Sequence, residues 1–412
     1  MSSGPDFIEK KHLTLFLFVV ALFFFWGVAL TLGDVLNRHF QNVLHISKSR
    51  SGLVQLAMFG AYAVMGIPAG IFLKRFGYKN GVLLGLFLYA GGAFLFIPAA
   101  DARSFDFFLL ALFILACGLA TLETVAHPLA AVLGPESTSD RRINFCQAFN
   151  GLGGVIGPAL GSFFMLKAAE GQPSELITVK NLYLVIGAVI SMAGLAFLFI
   201  RIPASLTDHS EKTSIYLPDT PNGYSGGLIH QKHFLFAVAA QFFNVAAQGG
   251  TWAYFINYGH EVMHFTDEKA GYFFSLSIAM LMVGRFTGTA LMRFIAPSRL
   301  LSIFALANVL MCLIVAQGAG WVSFIALLSI NFFFSIMFPT IFSLGLKNLG
   351  GNVQQGSSFL VMGVVGGGLF PPLMGLVANH SVAKAYYLPV VCYLVIFAFG
   401  YFYPRLVKRA KT

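Results

Sequence analysis

Polar residues interrupt this chain rarely, and the apolar runs between them set its architecture. Twelve runs are read near 13–36, 52–73, 80–100, 107–133, 143–166, 181–200, 233–257, 269–292, 300–319, 321–345, 356–378 and 385–404. A helix rises about 1.5 Å per residue, so some 20 apolar residues cross a hydrocarbon layer about 30 Å thick. Backbone polar groups inside lipid must find partners within the chain, which makes helices the predicted elements. The longest interruption runs from Pro203 to Lys232 and holds Asp208, Glu211, Lys212, Asp219, Pro221, Asn222 and Gly223. Such a polar, breaker-rich stretch reads as a linker. The expected organisation is an all-α membrane protein of twelve transmembrane helices in two pseudo-symmetric bundles. Residues 1–203 form the N-terminal six-helix bundle, 204–232 a cytoplasmic linker and 233–412 the C-terminal six-helix bundle.

The two halves repeat. Gly66-x-x-x-Gly70-x-x-x-x-Arg75-Phe76 closes the second run, and Gly284-x-x-x-Gly288-x-x-x-x-Arg293-Phe294 closes the eighth with the same spacing. Pro128 to Gly134 at the end of the fourth run matches Pro339 to Gly345 at the end of the tenth. The fifth and eleventh runs carry glycines followed by Pro158 to Gly161 and Pro372 to Gly375. Three matches in one order argue for duplication and for two similar bundles around a central path.

Composition narrows the class. The 412 residues are 57% hydrophobic and 10% charged, against about 25% charged in soluble domains. The first run is too long for a signal peptide and is followed by Asn37 and Arg38 rather than a small-residue cleavage site. A net charge of +10 could suggest nucleic acid. In a membrane chain it is more simply the cytoplasmic excess of Lys and Arg. With the N-terminus inside, seventeen Lys and Arg fall on the inner side and eight on the outer, so both termini are expected in the cytoplasm, as in a bacterial inner membrane. Cys117, Cys146, Cys312 and Cys392 all lie in apolar runs without C-x-x-C or Cys/His spacing, so no metal site is assigned. No P-loop, H-E-x-x-H or dinucleotide fingerprint is present, so no catalytic residue is assigned and the chain is not read as an enzyme.

Candidate chemistry follows from charges kept in oil. Of sixteen acids, only Asp34 and Glu123 lie inside apolar runs. A carboxylate at the centre of a bilayer costs about 2.5–3.5 kcal/mol on insertion scales, so such groups normally face a polar cavity. Arg285 is the one base well inside a run. It reads as a gating residue near the inner face, or as a side chain that snorkels to the cytoplasm. Taking a carboxyl out of water favours its neutral form. Asp34 and Glu123, with no permanent cation nearby, therefore suit the loading and unloading of a proton. An anionic solute would call for interior Arg or Lys. The runs offer instead neutral hydrogen-bonding groups and rings: Gln147, Asn150, Asn244, Gln248, Trp26 and Trp252. Amides and carboxylates grip hydroxyls, and an aromatic face packs on the C–H face of a sugar. His127 shares a helix face with Glu123 four residues earlier. It is a candidate for substrate contact, for proton relay, or for binding a carbonyl freed by Pro128.

Six plus six spans with basic loops after the second and eighth resemble the major facilitator superfamily. Gly70-x-x-x-Lys74-Arg75-x-Gly77-Tyr78-Lys79 is similar to its loop motif, with Lys74 where an Asp is usual. Trp26 to Asp34, Leu122-Glu123-Thr124 with Val132 to Glu136, Gly284 to Gly288, and Phe338 to Gly345 followed by Lys347-Asn348-Leu349-Gly350 resemble the fucose/galactose/glucose symporter family over nearly the whole chain. That family is Asn-rich before the first-span Asp, where this chain reads Leu30-Thr31-Leu32-Gly33, and has Asn where His127 stands. The resemblance implies sugar uptake coupled to a cation, with Asp34 and Glu123 as the two functional carboxylates.

The expected function is proton-coupled symport of a neutral hexose or deoxyhexose by alternating access. Glu123 and Asp34 carry the proton. Asp34, Gln147, Asn150, Asn244, Gln248, Trp252, Trp26 and His127 meet the sugar. No cofactor is expected beyond the coupling ion, H+ with Na+ as the alternative. The expected partners are the small-molecule sugar and membrane lipids, not nucleic acid, with a monomer as the working unit. A sodium-coupled sugar symporter, a carrier of a non-sugar solute and a non-transporting sensor are the other readings.

Overall fold

The computed structural model describes residues 8, 10–135, 139–166, 175–200, 202, 231–349 and 353–409. The expected linker falls almost wholly outside these, at 204–230. Every element among the described residues is helical. Eleven helices are long and apolar enough to cross a membrane. They are α1 (Leu13–Leu44), α2 (Lys48–Leu73), α3 (Arg75–Asp101), α4 (Phe105–Val132), α5 (Phe145–Leu166, which starts at Ser139), α6 (Leu176–Phe199), α8 (Asp267–Leu291), α9 (Pro297–Ala316), α10 (Trp321–Leu346), α11 (Phe359–Ala378, which starts at Val353) and α12 (Val382–Val407). The seventh span, α7, is Lys232–Ala253, continued after a break at Tyr254 by Phe255–Glu261. Together they make the twelve-helix architecture. Bulky side chains such as Phe87, Phe199 and Phe286 stand exposed, as a lipid-facing surface requires.

Local chemistry sets the helix ends. Ser104 caps α4 by accepting the Phe107 N–H, and Thr266 caps α8 by accepting that of Lys269. Asp267 and Glu268 then occupy the first turn of α8, where the helix dipole favours anions. Pro297 opens α9, where its missing N–H costs nothing. Near the start of α3 the chain turns at Gly77, with φ 75°, a conformation costly for any residue with a Cβ.

The helices group into two compact units. One is Met1–Leu44 with Gly60–Ser214, and the other is His45–Phe59 with Ile215–Thr412. In the first unit α1 and α5 meet backbone to backbone. A Cβ on Gly27 would strike the Asn150 carbonyl, and one on Gly153 the Phe24 carbonyl. In the second unit α7 and α11 meet in the same way, through Gly249 against the Gly367 carbonyl and Gly366 against the Phe242 carbonyl. Small residues allow this approach, and dispersion over the close surfaces holds the pair where no hydrophobic force acts between helices in lipid. The two pairs occupy equivalent places in the duplicated order.

Residues 45–59 are held in the second unit by polar contacts. Lys48 Nζ pairs with Glu261 Oε1 at 2.7 Å and donates to the Ala378 carbonyl at 2.9 Å. Its backbone N–H donates to Asn379 Oδ1 at 2.9 Å, and Ser49 Oγ to the Pro372 carbonyl at 3.0 Å. The matched prolines act differently. Pro128 lies within an unbroken α4. α10 is interrupted at Ser335 and Ile336, four and three residues before Pro339. A proline offers no N–H to the carbonyl four residues back, here that of Ser335.

Candidate proton and solute site

The first unit gathers one constellation from four helices. Glu123, on α4, lines a small cavity with Leu22, Phe23, Trp26, Leu122 and Ala126. Among the described residues no Lys, Arg or His is ion-paired with it. Trp26, on α1, donates its indole N–H to the Tyr62 hydroxyl of α2 at 2.7 Å. An indole only donates, so Tyr62 accepts there and keeps its own O–H to give.

One turn along α4, His127 Nδ1 meets the Glu123 carbonyl at 3.0 Å, and Nε2 meets Gln147 Nε2 of α5 at 2.8 Å. The carbonyl is that of Glu123, not that of Thr124, which Pro128 frees. Phe23 and Trp26 stand edge-on to the imidazole at 4.8 and 6.0 Å between centroids. Asn150, three residues beyond Gln147, donates its amide N–H to the Phe23 carbonyl at 3.1 Å. Glu123, His127, Trp26, Gln147 and Asn150 thus lie in one neighbourhood, assembled where the glycines let α1 and α5 touch.

Asp34 lies elsewhere on α1. It is eight residues past Trp26, about 12 Å along the axis. The helix runs on to Leu44, so Asp34 is interior to it and only 7% exposed. Asn37, Arg38, His39 and Gln41 follow as a buried polar band. In that band Gln41 donates to Asn37 Oδ1 at 3.2 Å, and His39 Nδ1 meets the Met165 carbonyl at 3.1 Å.

The second unit holds its candidates more loosely. Trp252 donates its indole N–H to Asn331 Oδ1 of α10 at 2.9 Å, and Asn331 donates to Ser277 Oγ of α8 at 2.9 Å. This chain of bonds fixes the plane of the Trp252 ring. Asn244 is fully buried, and neither end of its amide has a protein partner among the described residues. Gln241, one turn earlier, is in the same condition. Gln248, on the next turn, is half-buried. Arg285 is exposed, and its Nε reaches the Ser335 carbonyl at 3.4 Å. That carbonyl is the one Pro339 leaves without a helical donor.

Three residues of these networks escaped the sequence reading: Tyr62, Asn331 and Ser277. A tyrosine or serine in an apolar run carries no pattern of its own. Asn331 was visible as a lone amide between Ile330 and Phe332. Among the described residues no group of three or more His, Cys, Asp or Glu is placed to hold a metal. The first unit offers a carboxyl that can take a proton, amide groups that can bind neutral oxygens and an indole held in place by Tyr62, and the second offers amides and an indole held by Asn331.

The family model described as Major Facilitator Superfamily matches residues 14–371. The chain is 36% identical to the L-fucose-proton symporter of Escherichia coli (strain K12), over 96% of this chain and 94% of that one. It is 33% identical to a glucose/galactose transporter of Brucella abortus, over 92% and 91%. Among solved structures, the major facilitator transporter FucP in its outward conformation aligns with a TM-score of 0.66 at 36% identity, covering 96% of this chain and 99% of that one. A bacterial homologue of the lysosomal transporter Spinster aligns with a TM-score of 0.75 at 15% identity, over 97% and 98%, a likeness of fold alone.

Proposed function

The chain belongs to the major facilitator superfamily, in the branch of the L-fucose-proton and glucose/galactose transporters, and on that premise we propose that it carries a neutral monosaccharide inward together with a proton. It is a transporter and not an enzyme. The observation that carries the reading is the setting of Glu123. Among the described residues no cation is paired with its carboxyl, the residue borders a cavity with Trp26, whose indole donates to the Tyr62 hydroxyl, and one turn along the helix His127 meets the amide of Gln147.

A sugar offers hydroxyls that both donate and accept. Gln147, Asn150, Asn244 and Gln248 supply complementary groups. Trp26 and Trp252 supply flat apolar faces for ring C–H bonds. Protonation of Glu123 neutralises the site when the sugar is bound, so the loaded carrier moves no buried charge through the low-dielectric core. Release of sugar and proton on the cytoplasmic side empties the carrier and resets the cycle. Asp34, deeper along α1, shares the proton or holds sugar hydroxyls. Alternating access then comes from rocking of the two bundles. The protein works as a monomer in a bacterial inner membrane with both termini in the cytoplasm, and H+ is the coupling ion.

Glu123→Gln keeps the shape and removes the titration. The variant is expected to bind sugar and to exchange it across proteoliposomes, but not to accumulate it against a gradient. Uphill uptake at the wild-type level would remove Glu123 from the coupling step. Uptake that follows a sodium gradient at fixed pH would replace the proton by sodium and leave the sugar reading intact.

A further inference from the structure

His127 is held by two hydrogen bonds whose polarity is dictated by chemistry. Its Nδ1 faces the backbone carbonyl of Glu123 at 3.0 Å. A carbonyl can only accept, so Nδ1 carries the proton. Its Nε2 faces the amide nitrogen of Gln147 at 2.8 Å. Two N–H donors cannot share a hydrogen bond, so Nε2 is the acceptor and the Gln147 NH2 the donor. The amide oxygen of Gln147 is then turned away from His127, and no donor meets it among the described residues. The edge-on rings of Phe23 and Trp26 hold the imidazole in place.

We propose that His127 is a positioning residue that fixes the amide of Gln147 with its oxygen toward the solute, so that this position accepts a hydrogen bond and cannot give one. The proposal rests on the sugar reading above and adds a rule of specificity to it. A glutamine free to turn offers either oxygen or NH2, and tolerates a donor or an acceptor. A glutamine held by His127 offers oxygen alone, and requires a hydroxyl that donates. A solute with an acceptor at that place sets two acceptors face to face. An unmade hydrogen bond at a buried group weakens binding by about tenfold or more.

The test is a panel of monosaccharides in which each hydroxyl in turn is replaced by fluorine, which cannot donate. The wild-type protein is expected to lose at least about tenfold in affinity at one position of the panel. In His127→Phe, which keeps a ring against Phe23 and Trp26 but lacks the acceptor, the loss at that position should shrink to about threefold or less, with the other positions unchanged. His127→Gln serves if the phenylalanine variant does not fold. Equal discrimination by variant and wild type would overturn the proposal. A second measurement does not depend on transport. Nitrogen-15 spectra of histidine-labelled protein, with His127 assigned by its loss in the variant, should show Nδ1 protonated and Nε2 bare. The opposite tautomer would overturn the proposal. If the protein binds no monosaccharide, the sugar reading fails, and the nitrogen spectrum still decides the orientation of Gln147.

Discussion

At the scale of the residue, Arg142 does more than its charge suggests. It is fully buried at the start of α5. Its Nε donates to the Ala130 carbonyl at 3.0 Å, and one Nη donates to the carbonyls of Gly134 and Pro135 at 3.1 Å and also meets that of Ala131. The last carbonyls of α4 have no helical partners, and the guanidinium fork supplies them. Arg142→Lys replaces a planar fork of five donors by one ammonium on a flexible stem. A loss of about 2–3 kcal/mol is expected, since hydrogen bonds to charged groups contribute about 1.5–3 kcal/mol each and the ammonium recovers some of them. Thermal unfolding in detergent measures it, and an unchanged midpoint would show that the cap is dispensable. A count of Lys and Arg recorded Arg142 only as a cytoplasmic cation, because an end cap depends on contacts seven to twelve residues back that spacing does not reveal. Glu123, Trp26 and His127 were legible for the opposite reason. A polar group in an apolar run must be explained by something, and here they lie in one neighbourhood.

At the scale of the element, hydropathy located the spans and missed their joints. It ended the first span near residue 36, whereas α1 continues to Leu44, because the buried polar residues Asn37 to Gln41 look like a loop when only polarity is read. The break in α7 at Tyr254 sits inside apolar sequence and left no trace in it, and that in α10 at Ser335 was marked by Pro339 but could not be told from the matched Pro128, which breaks nothing. The repeat was legible, but its packing was not. Gly284 and Gly288 lie against Phe332, Ser335 and Ile336 of α10, while Gly66 and Gly70, identical in spacing, have no atom within 4 Å of where a Cβ would stand. The same substitution should therefore act differently in the two halves. Gly284→Ala is expected to destabilise by about 1–3 kcal/mol through overpacking. Gly66→Ala is expected to be neutral or to stabilise by up to about 1 kcal/mol through helix propensity. Thermal-shift midpoints of the two variants compare them directly, and equal losses would mean that the two motifs pack alike.

At the scale of the whole molecule, a duplicated chain has placed its chemistry unequally. Both interior acids, Asp34 and Glu123, belong to the first unit, while among the described residues the acids of the second, Glu261, Asp267 and Glu268, stand at one end of α7 and α8. One helix belongs to both units. α2 is divided between Phe59 and Gly60, with 45–59 in the second unit and the remainder in the first. Under the proposed rocking of the bundles, α2 moves as one rod, and its Lys48 end then leaves Glu261 and Ala378, or it bends near Gly60. No atom lies within 4 Å of where a Cβ on Gly60 would stand. The contacts of Lys48 with Glu261 and Ala378, and of Ser49 with Pro372, are the bonds that rod-like movement breaks. Cysteines at 48 and 261 joined by a short bis-thiosulfonate should stop accumulating uptake, and reduction should restore it. The four native cysteines are buried, so the reagent is directed to the introduced pair. Undiminished uptake after complete cross-linking would mean that residues 45–59 stay with the second unit through the cycle and that the movement is taken up at the bend.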